Sequence, residues 1–156
     1  ILDYGCGKGF FKLSLKDYRP DVPKWFEYDP AIKGKGTPVP SELVIALDVM
    51  EHIEPDCLDE VLQHIRELCG KCFYCVIATR PSKKFLADGR NAHLIVEPSG
   101  WWHCVLQQYF HIEVCAVRDD GLQCAFECIP RREDAATQDI HRIRQAGSSS
   151  VLSVGA

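Results

Sequence analysis

Short, continuous apolar blocks alternate along this chain with segments in which apolar residues recur at helical spacing. Residues 43–47 are apolar without interruption, as expected for a strand buried on both faces of a parallel sheet. Residues 55–69 instead repeat apolar side chains every three or four positions, which predicts an amphipathic helix with Gly70 as its stop. The same criteria predict strands at the start of the chain and at 25–28, 72–78, 112–117 and 122–129, and helices at 10–18 and 98–110.

The order of these elements indicates the fold class. Alternating strands and helices are typical of an α/β domain built on a parallel sheet. The last two strands are separated by Asp119-Asp120-Gly121, a strong hairpin signal, so we expect them to pair antiparallel. Only 13 residues separate Asp29 from Leu43, which leaves little room for a helix and a strand, because a crossover takes a dozen or more residues. We therefore expect the sheet to be shortened around its third strand.

A glycine-alternating turn follows the first strand. Gly5, Gly7 and Gly9 permit positive φ and carry no Cβ, so a ligand can lie directly against the backbone. A dinucleotide fingerprint requires glycine where Phe10 stands, and the sequence contains no P-loop Gly-Lys-Ser/Thr. The carboxylate of Asp3, just before the turn, suits a ligand that carries positive charge. The alternative interpretation is an ordinary strand-to-helix turn.

A second acid follows the next predicted strand. Asp29 lies 20 residues after Gly9, close to the interval of about 20 residues expected for a ribose-binding acid in a βαβ unit. Its carboxylate can accept hydrogen bonds from both ribose hydroxyls. The alternative is a surface acid, because Asp-Pro pairs such as Asp29-Pro30 often initiate turns. We favour the ribose role on the combined spacing of the turn and the acid.

A third motif, Asp48-Val49-Met50-Glu51-His52, follows the predicted strand 43–47. Together with the glycine turn and Asp29, it resembles the motifs of the class I S-adenosylmethionine-dependent methyltransferases, which often carry an acid and a Glu-His pair here. The resemblance covers roughly residues 1–130 and is most specific over 1–53. It implies a Rossmann-like, doubly wound, mostly parallel sheet with an antiparallel last strand. It also implies S-adenosylmethionine as the cofactor and a methyltransferase activity.

The resemblance assigns cofactor-binding roles to individual residues. The methionine end is expected at Asp3, Tyr4, Gly5, Cys6, Gly7 and Gly9. The ribose is expected at Tyr28, Asp29 and Pro30. The region near the methyl group is expected at Leu47, Asp48, Val49 and Met50. Adenine contacts do not carry over, because the region of the third strand that often supplies them in this family is shortened here.

The residues that would face the methyl acceptor, called the acceptor side below, are predicted from the histidines and tryptophans. Histidine is the side chain best suited to accept a proton near neutral pH, so His52 and His93 are the candidate catalytic residues. The alternative for each is a helix-capping or surface histidine. Residues 90–103 come after the predicted strand 72–78, and ligands of open α/β sheets bind outside the carboxyl ends of strands. Trp101 and Trp102 in this segment either enclose an acceptor or anchor the core.

Several acceptors and functions are disfavoured. Methyltransferases that act on nucleic-acid bases usually carry a sequence resembling Asn/Asp-Pro-Pro-Tyr/Phe or Pro-Cys after the corresponding strand. Neither sequence follows the strand 43–47 here. The formal net charge is -4 with no strong basic run, so charge gives no sign of nucleic-acid binding, and we expect a small-molecule acceptor. Two alternatives stay open: a non-catalytic cofactor-binding module or partner-dependent subunit, and a nicotinamide-dependent oxidoreductase, against which Phe10 argues.

Length and composition fit one globular domain. The chain has 156 residues, of which 46% are hydrophobic and 26% charged. We expect a methyltransferase domain over 1–130 and a flexible tail over 131–156. Because the chain starts inside the first strand, we expect that N-terminal elements of related enzymes are missing from it. No apolar stretch approaches the about 20 residues of a membrane span.

The nine cysteines are odd in number, and several lie within apolar blocks. This pattern is typical of reduced thiols, which predicts a cytoplasmic location. Cys69, Cys72 and Cys75 are spaced like metal ligands. However, residues three apart in a strand point to opposite faces, and no fourth ligand follows at a typical spacing. We therefore expect no metal site.

Overall fold

The computed structural model describes residues 1–18, 21, 24–118 and 121–132. Its strands are β1 (Leu2–Tyr4), β2 (Phe26–Tyr28), β3 (Ser41–Leu47), β4 (Cys69–Ala78), β5 (Phe110–Arg118) and β6 (Gln123–Pro130). Its helices are α1 (Phe10–Tyr18), α2 (Leu58–Leu68) and α3 (Ser99–Leu106). Two short 3₁₀ turns, Met50–His52 and Pro55–Cys57, lie between β3 and α2.

The six strands form one sheet in the order β2-β1-β3-β4-β6-β5. The pairs β1–β2, β1–β3 and β3–β4 are parallel. The last strand, β6, inserts antiparallel between β4 and β5. The predicted Rossmann-like, mostly parallel sheet with an antiparallel last strand is thus confirmed.

The sheet ends at β2 on the side where the sequence predicts a shortened third strand. Residues 29–40, all of them described, contain neither a helix nor a strand. Backbone hydrogen bonds fold this loop into turns, with the Asp29 amide donating to Lys35 O and the Lys35 amide to Ile32 O. The loop therefore returns to the end of β2 and brings Lys35 toward the glycine turn.

The core lies between the sheet and the helices. The buried face of α2 consists of Leu58, Leu62, Ile65 and Leu68, whose helical spacing matches the sequence pattern. These side chains belong to one apolar cluster with Val44 of β3 and Phe73 of β4. Burial of each such side chain contributes about 1.5–3 kcal/mol, so α2 is held firmly against the sheet. Its first turns, beside the carboxyl ends of the strands, are thereby fixed in place.

Two predicted helix ends are wrong. Gly70 does not stop α2, because the helix ends at Leu68 and β4 begins at Cys69. A Cβ on Gly70 would lie 3.3 Å from the carbonyl oxygen of Ser41, so this glycine instead permits close approach of β3 and β4. The third helix ends at Leu106 rather than at residue 110, because Phe110 already pairs in the sheet.

Some predictions lie outside the described residues. These are the turn residues Asp119 and Asp120 and the flexible tail beyond Arg132. Gly121, the described part of the turn, has a φ of +92°, a conformation that glycine adopts without strain. In the described part of the chain, no helix has the length and apolarity needed to cross a bilayer.

All nine cysteines are described and carry free thiols. Cys75 is fully buried while Cys72 is half-buried, in keeping with their predicted placement on opposite faces of the strand. Burial raises the pKa of the Cys124 and Cys128 thiols to about 12, so both remain protonated at neutral pH. The cytoplasmic location stays a prediction.

Candidate functional site

The three sequence motifs meet at one edge of the sheet. Register pairs Tyr4 of β1 with Tyr28 of β2 and Asp3 with Ile45 of β3, so the carboxyl ends of these strands lie side by side. A cleft of about 620 Å³ opens there. It is lined by Tyr4, Gly5, Tyr28, Asp29, Pro30, Ala31, Asp48, Val49, His52, Ile53, Glu60, Val61 and His64.

Seven of the predicted cofactor-binding residues line this cleft: Tyr4, Gly5, Tyr28, Asp29, Pro30, Asp48 and Val49. The other six do not line it: Asp3, Cys6, Gly7, Gly9, Leu47 and Met50. Among these, Asp3 and Met50 are buried beneath the edge of the sheet, at 3% and 0% exposure. They can shape the cleft only through the residues above them.

Glycine is required at the three positions of the turn for different structural reasons. All three have positive φ, +75° at Gly5, +51° at Gly7 and +80° at Gly9. A Cβ at Gly5 would lie 2.6 Å from Val49 Cγ2, and one at Gly9 would overlap the Glu27 carboxylate. A Cβ at Gly7 would meet no atom within 4 Å. Gly7 therefore has open space beside it, and only its positive φ favours glycine there.

Asp29 connects the end of β2 to the glycine turn. Its Oδ2 accepts a hydrogen bond from the Gly7 amide at 2.9 Å, and its Oδ1 accepts one from the Ala31 amide at 2.9 Å. Each carboxylate oxygen has further acceptor capacity, since an ionised carboxylate offers about four lone-pair sites. Asp29 can therefore hold the turn and still accept hydrogen bonds from ligand hydroxyls in the cleft.

Lys35 and Glu27 form an ion pair under the turn that sequence reasoning missed. The Lys35 ammonium donates to Gly7 O at 3.0 Å and lies 3.2 Å from Glu27 Oε1. Lys12 reaches Glu27 Oε2 at 3.4 Å. Although burial works against ionisation, the hydrogen bonds from Lys35 and Lys12 hold the pKa of Glu27 below its ordinary value. The one sequence signal for a role near the turn was the position of Glu27, one residue before the end of β2.

Asp3 is an incompletely satisfied buried acid beneath the turn. Its Oδ2 has no hydrogen-bond partner within the described residues. Burial, followed by repulsion from Glu27, raises the pKa of Asp3 to about 6, while Lys35 works in the opposite direction. A cationic ligand group close to Asp3 would stabilise its ionised form.

An aromatic wall forms one side of the cleft. The Tyr4 and Tyr28 rings lie 4.8 Å apart between centroids, and the Tyr4 hydroxyl shares a hydrogen bond of 2.9 Å with His64 Nδ1. His64 comes from α2, one helical turn after Glu60, and both residues line the cleft. Sequence reasoning missed them because a half-polar helix face resembles any solvated surface.

Asp48 occupies an unusual backbone conformation at the end of β3. Its φ of +52° is the only positive value at a non-glycine position in the described ranges. Aspartate tolerates this region better than most residues, and such conformations cluster at functional sites. The amide of Asp48 donates to Val76 O, and Gln123 Nε2 donates to Asp48 Oδ1 at 3.3 Å. The exposed carboxylate is thus held at the cleft.

The structure brings the two candidate catalytic histidines together. The His52 and His93 rings lie 4.9 Å apart in a perpendicular arrangement. His52 Nδ1 lies 2.7 Å from Ala92 O, and His93 Nδ1 lies 2.6 Å from Arg80 O. Because a carbonyl oxygen can only accept, each Nδ1 carries the donated proton, and in the neutral form of either ring the lone pair is then on Nε2.

Glu51, directly before His52, is fully buried. Its Oε1 accepts a hydrogen bond from the Ala78 amide at 3.0 Å, and its Oε2 has no partner within the described residues. Its backbone oxygen accepts bonds from the amides of Leu94 and Ile95. Burial raises the pKa of the Glu51 carboxyl. Glu51 thus attaches the loop after β4 (residues 79–98) to the 3₁₀ turn after β3.

The paired tryptophans have separate positions. Trp102 is fully buried in the core, as one of the two predicted alternatives has it. Trp101 is 36% exposed and lines a smaller cavity of about 300 Å³. This cavity is also lined by Pro55, Leu58, Asp59, Leu94, Ile95, Val96, Glu97 and Val105. The loop after β4 therefore contributes to this cavity, and its role in binding an acceptor stays a prediction.

A larger cleft of about 740 Å³ lies at the opposite end of the sheet, at the start of β3 and β4. Its lining includes Ser41, Cys69 and Gly70. Ligands of open α/β sheets bind at the carboxyl ends of strands, so its size alone does not make it the functional site. The three motifs all lie at the other edge.

Comparison with known proteins identifies solved structures that share this fold. No family model matches the chain, and no curated protein matches it. Among solved structures, the complex of DhpI with S-adenosylhomocysteine has 14% identity and a TM-score of 0.59, over 85% of this chain and 76% of DhpI. The mitomycin 7-O-methyltransferase MmcR has 13% identity and a TM-score of 0.60, over 83% of this chain and 48% of MmcR.

A third similar structure is the magnesium protoporphyrin IX methyltransferase ChlM from Synechocystis PCC 6803 with bound S-adenosylhomocysteine. It has 14% identity and a TM-score of 0.52, over 83% of this chain and 73% of ChlM. Together with the sheet order, these similarities show that the chain has the fold of the class I S-adenosylmethionine-dependent methyltransferases. The predicted fold resemblance is confirmed.

Proposed function

We propose that this chain binds S-adenosylmethionine in the cleft at the carboxyl ends of β1, β2 and β3 and transfers its methyl group to a small-molecule acceptor. The observation that carries the proposal is the bond between Asp29 and the Gly7 amide, which joins the predicted ribose acid to the predicted cofactor turn. The similar structures add support, because MmcR and ChlM are methyltransferases and DhpI and ChlM hold S-adenosylhomocysteine.

The residues present fit such a cofactor. The open space at Gly7 suits the charged methionine end, and the buried carboxyl of Asp3 beneath the turn can act on it only through space. The remaining lone pairs of Asp29 suit the ribose hydroxyls. The Tyr4 and Tyr28 rings give the cleft an apolar wall for the remainder of the molecule. Asp48 and Val49 would then lie near the methyl group.

When bound, the cofactor supplies a methyl group already activated on a sulfonium sulfur, so the chain mainly provides orientation and proximity. His52 lines the cleft and keeps a lone pair on Nε2, directed by its Nδ1–H bond to Ala92 O. His93 is held in the same way beside it. We propose these two rings as the groups that interact with an acceptor hydroxyl or amine.

Calorimetric titration with S-adenosylmethionine, S-adenosylhomocysteine and NAD tests the cofactor class. We expect micromolar binding of both sulfur ligands and no binding of NAD. Binding of NAD without either sulfur ligand would instead support the nicotinamide-dependent alternative. Absence of all three would contradict the proposed cleft.

Methyl transfer from labelled cofactor to a mixture of small hydroxyl and amine compounds tests the enzymatic part. Label in an acceptor product would support a methyltransferase. Tight cofactor binding without transfer to any acceptor, alone or with cell extract as a source of partners, would support the non-catalytic binding module. The acceptor class would follow from the labelled product.

A further inference from the structure

Three side chains converge beside the proposed cofactor cleft. Glu51, His52 and His93 each offer a ligand atom, and these atoms all lie within 4.8 Å of one another. The 3₁₀ turn Met50–His52 supplies the first two, and the loop after β4 supplies the third. The two segments are fixed to each other, because the Glu51 backbone oxygen accepts hydrogen bonds from the amides of Leu94 and Ile95 at 2.7 and 3.1 Å.

Both imidazoles are oriented as metal-binding histidines usually are. Each donates its Nδ1–H to a backbone carbonyl, His52 to Ala92 O and His93 to Arg80 O. Such a bond fixes both the tautomer and the plane of the ring and leaves Nε2 as the ligand nitrogen. The two bonds come from different parts of the loop after β4, so both rings are held without any ligand.

Glu51 provides the negative charge of the cluster. The side chain is fully buried, yet Oε2 has no partner in the part of the chain that the structure describes. A buried carboxylate oxygen without a partner is costly, and paired charges or metal coordination are the usual ways to offset that cost. The nearby Asp48 carboxylate adds further negative charge. The site is therefore built to attract a cation.

We propose that Glu51, His52 and His93 bind one divalent transition-metal ion, such as Zn²⁺, Mn²⁺ or Fe²⁺. Two imidazoles and one carboxylate with open positions are typical of ions that also bind water or substrate. Ligand atoms on one ion lie roughly 3–3.5 Å apart for bonds of about 2.1 Å, so the three side chains would move closer by about 1–2 Å. This proposal departs from the sequence-based expectation that the chain has no metal site.

Because His52 lines the cleft, the ion would lie at its rim. The role of the ion in the reaction rests on the proposed function. An open coordination position of the ion would bind the acceptor through a hydroxyl oxygen and lower the pKa of that hydroxyl. The proton would leave to water, and the oxygen lone pair would form the new C–O bond as the C–S bond breaks with its electron pair going to sulfur. With the ion bound, His52 and His93 act as ligands rather than as bases.

Titration of the tag-free, cofactor-free chain with Co²⁺, followed by visible absorption, tests the site. We expect one equivalent to bind to the wild type and to His111→Ala, which removes an exposed histidine of β5. His52→Ala and His93→Ala should each weaken binding at least about tenfold, because even outer-shell changes cost 10–100-fold in metal affinity. Absence of binding at millimolar Co²⁺ would overturn the proposal. Unchanged affinity in His93→Ala, or thiolate charge-transfer bands from cysteine ligation, would also overturn it.

A second readout guards against variants that fail to fold. Co²⁺ should raise the thermal unfolding midpoint of the wild type and of His111→Ala but not that of His93→Ala, whose side chain is only half-buried. An equal rise in His93→Ala would contradict the assignment. Binding of S-adenosylhomocysteine in the presence of EDTA reports on the proposed function alone. Failure of the cofactor proposal and failure of the metal site are therefore distinguishable.

Discussion

The carboxylate of Asp29 accepts a hydrogen bond of 2.9 Å from the amide of Gly7, across 22 residues of sequence. This bond joins the end of β2 to the turn after β1, and it adds to the strand pairing, the Lys35 contact and the bonds from the Gly5 and Cys6 amides to Tyr28 O. It makes the shape of the turn depend on an acid that also faces the cleft. Ligand binding at Asp29 and the conformation of the turn are consequently coupled.

Substitutions of Gly7 and Gly9 should affect stability differently. Gly7→Ala adds a methyl group in open space, so its cost is the positive φ alone, about 1–2 kcal/mol. Gly9→Ala has the same backbone cost and also overlaps the Glu27 carboxylate, so it should lower the free energy of unfolding further. Urea unfolding of both variants measures this order. Equal destabilisation would mean that Glu27 moves away freely.

Asp3 should make the folded chain less stable at high pH. Its folded pKa of about 6 lies above the unfolded value, so the folded state holds the proton more tightly. Stability therefore falls as pH rises from about 4 to about 6, by on the order of 2 kcal/mol. Asp3→Asn removes this contribution.

Urea unfolding of the wild type and Asp3→Asn at pH 4, 6 and 8 measures the difference. The variant should gain stability relative to the wild type as the pH rises. Because Glu51 is present in both proteins, its own raised pKa cancels in the comparison. A difference that does not change with pH would show that Asp3 titrates normally.

The close approach of β3 and β4 should make Gly70 intolerant of larger side chains. A Cβ there would lie 3.3 Å from Ser41 O and 3.4 Å from Glu42 Cα, and both are backbone atoms that cannot rotate away. Gly70→Val should therefore destabilise the fold by about 1–3 kcal/mol.

Gly100→Ala provides the contrast to Gly70→Val, because it changes a glycine that has open space beside it. Gly100 lies in α3 with nothing within 4 Å of its Cβ position, so alanine should stabilise the helix by up to about 1 kcal/mol. Thermal unfolding of both variants tests the contrast. A neutral Gly70→Val would refute the strand-contact explanation.

The sequence predicted those features that follow from local patterning. Continuous apolar blocks identified β3 and β4, and the short interval after Asp29 identified the missing third strand. Contacts between distant segments could not be read in this way. Lys35 reaches Gly7 only because the loop 29–40 folds back on itself. Gly70 resembled a helix stop because sequence does not show that Ser41 lies against it.

The cluster at Glu51 illustrates a second limit. The Glu-His pair was visible in the sequence, but whether a glutamate is exposed or fully buried depends on what packs over it. Here the loop carrying Leu94 and Ile95 covers Glu51 and brings His93 to His52. The sequence named both histidines as separate candidates, and only the fold places them together.

The affinity of Asp29→Ala for S-adenosylhomocysteine tests the central claim most directly. The variant loses the acceptor for ligand hydroxyls and the bond to the Gly7 amide, and hydrogen bonds to charged groups contribute about 1.5–3 kcal/mol each. Calorimetry should therefore give at least about tenfold weaker binding than in the wild type. Asp56→Ala, an exposed acid away from the cleft, should bind as the wild type does. Equal affinity in Asp29→Ala and Asp56→Ala would contradict the assignment of this cleft.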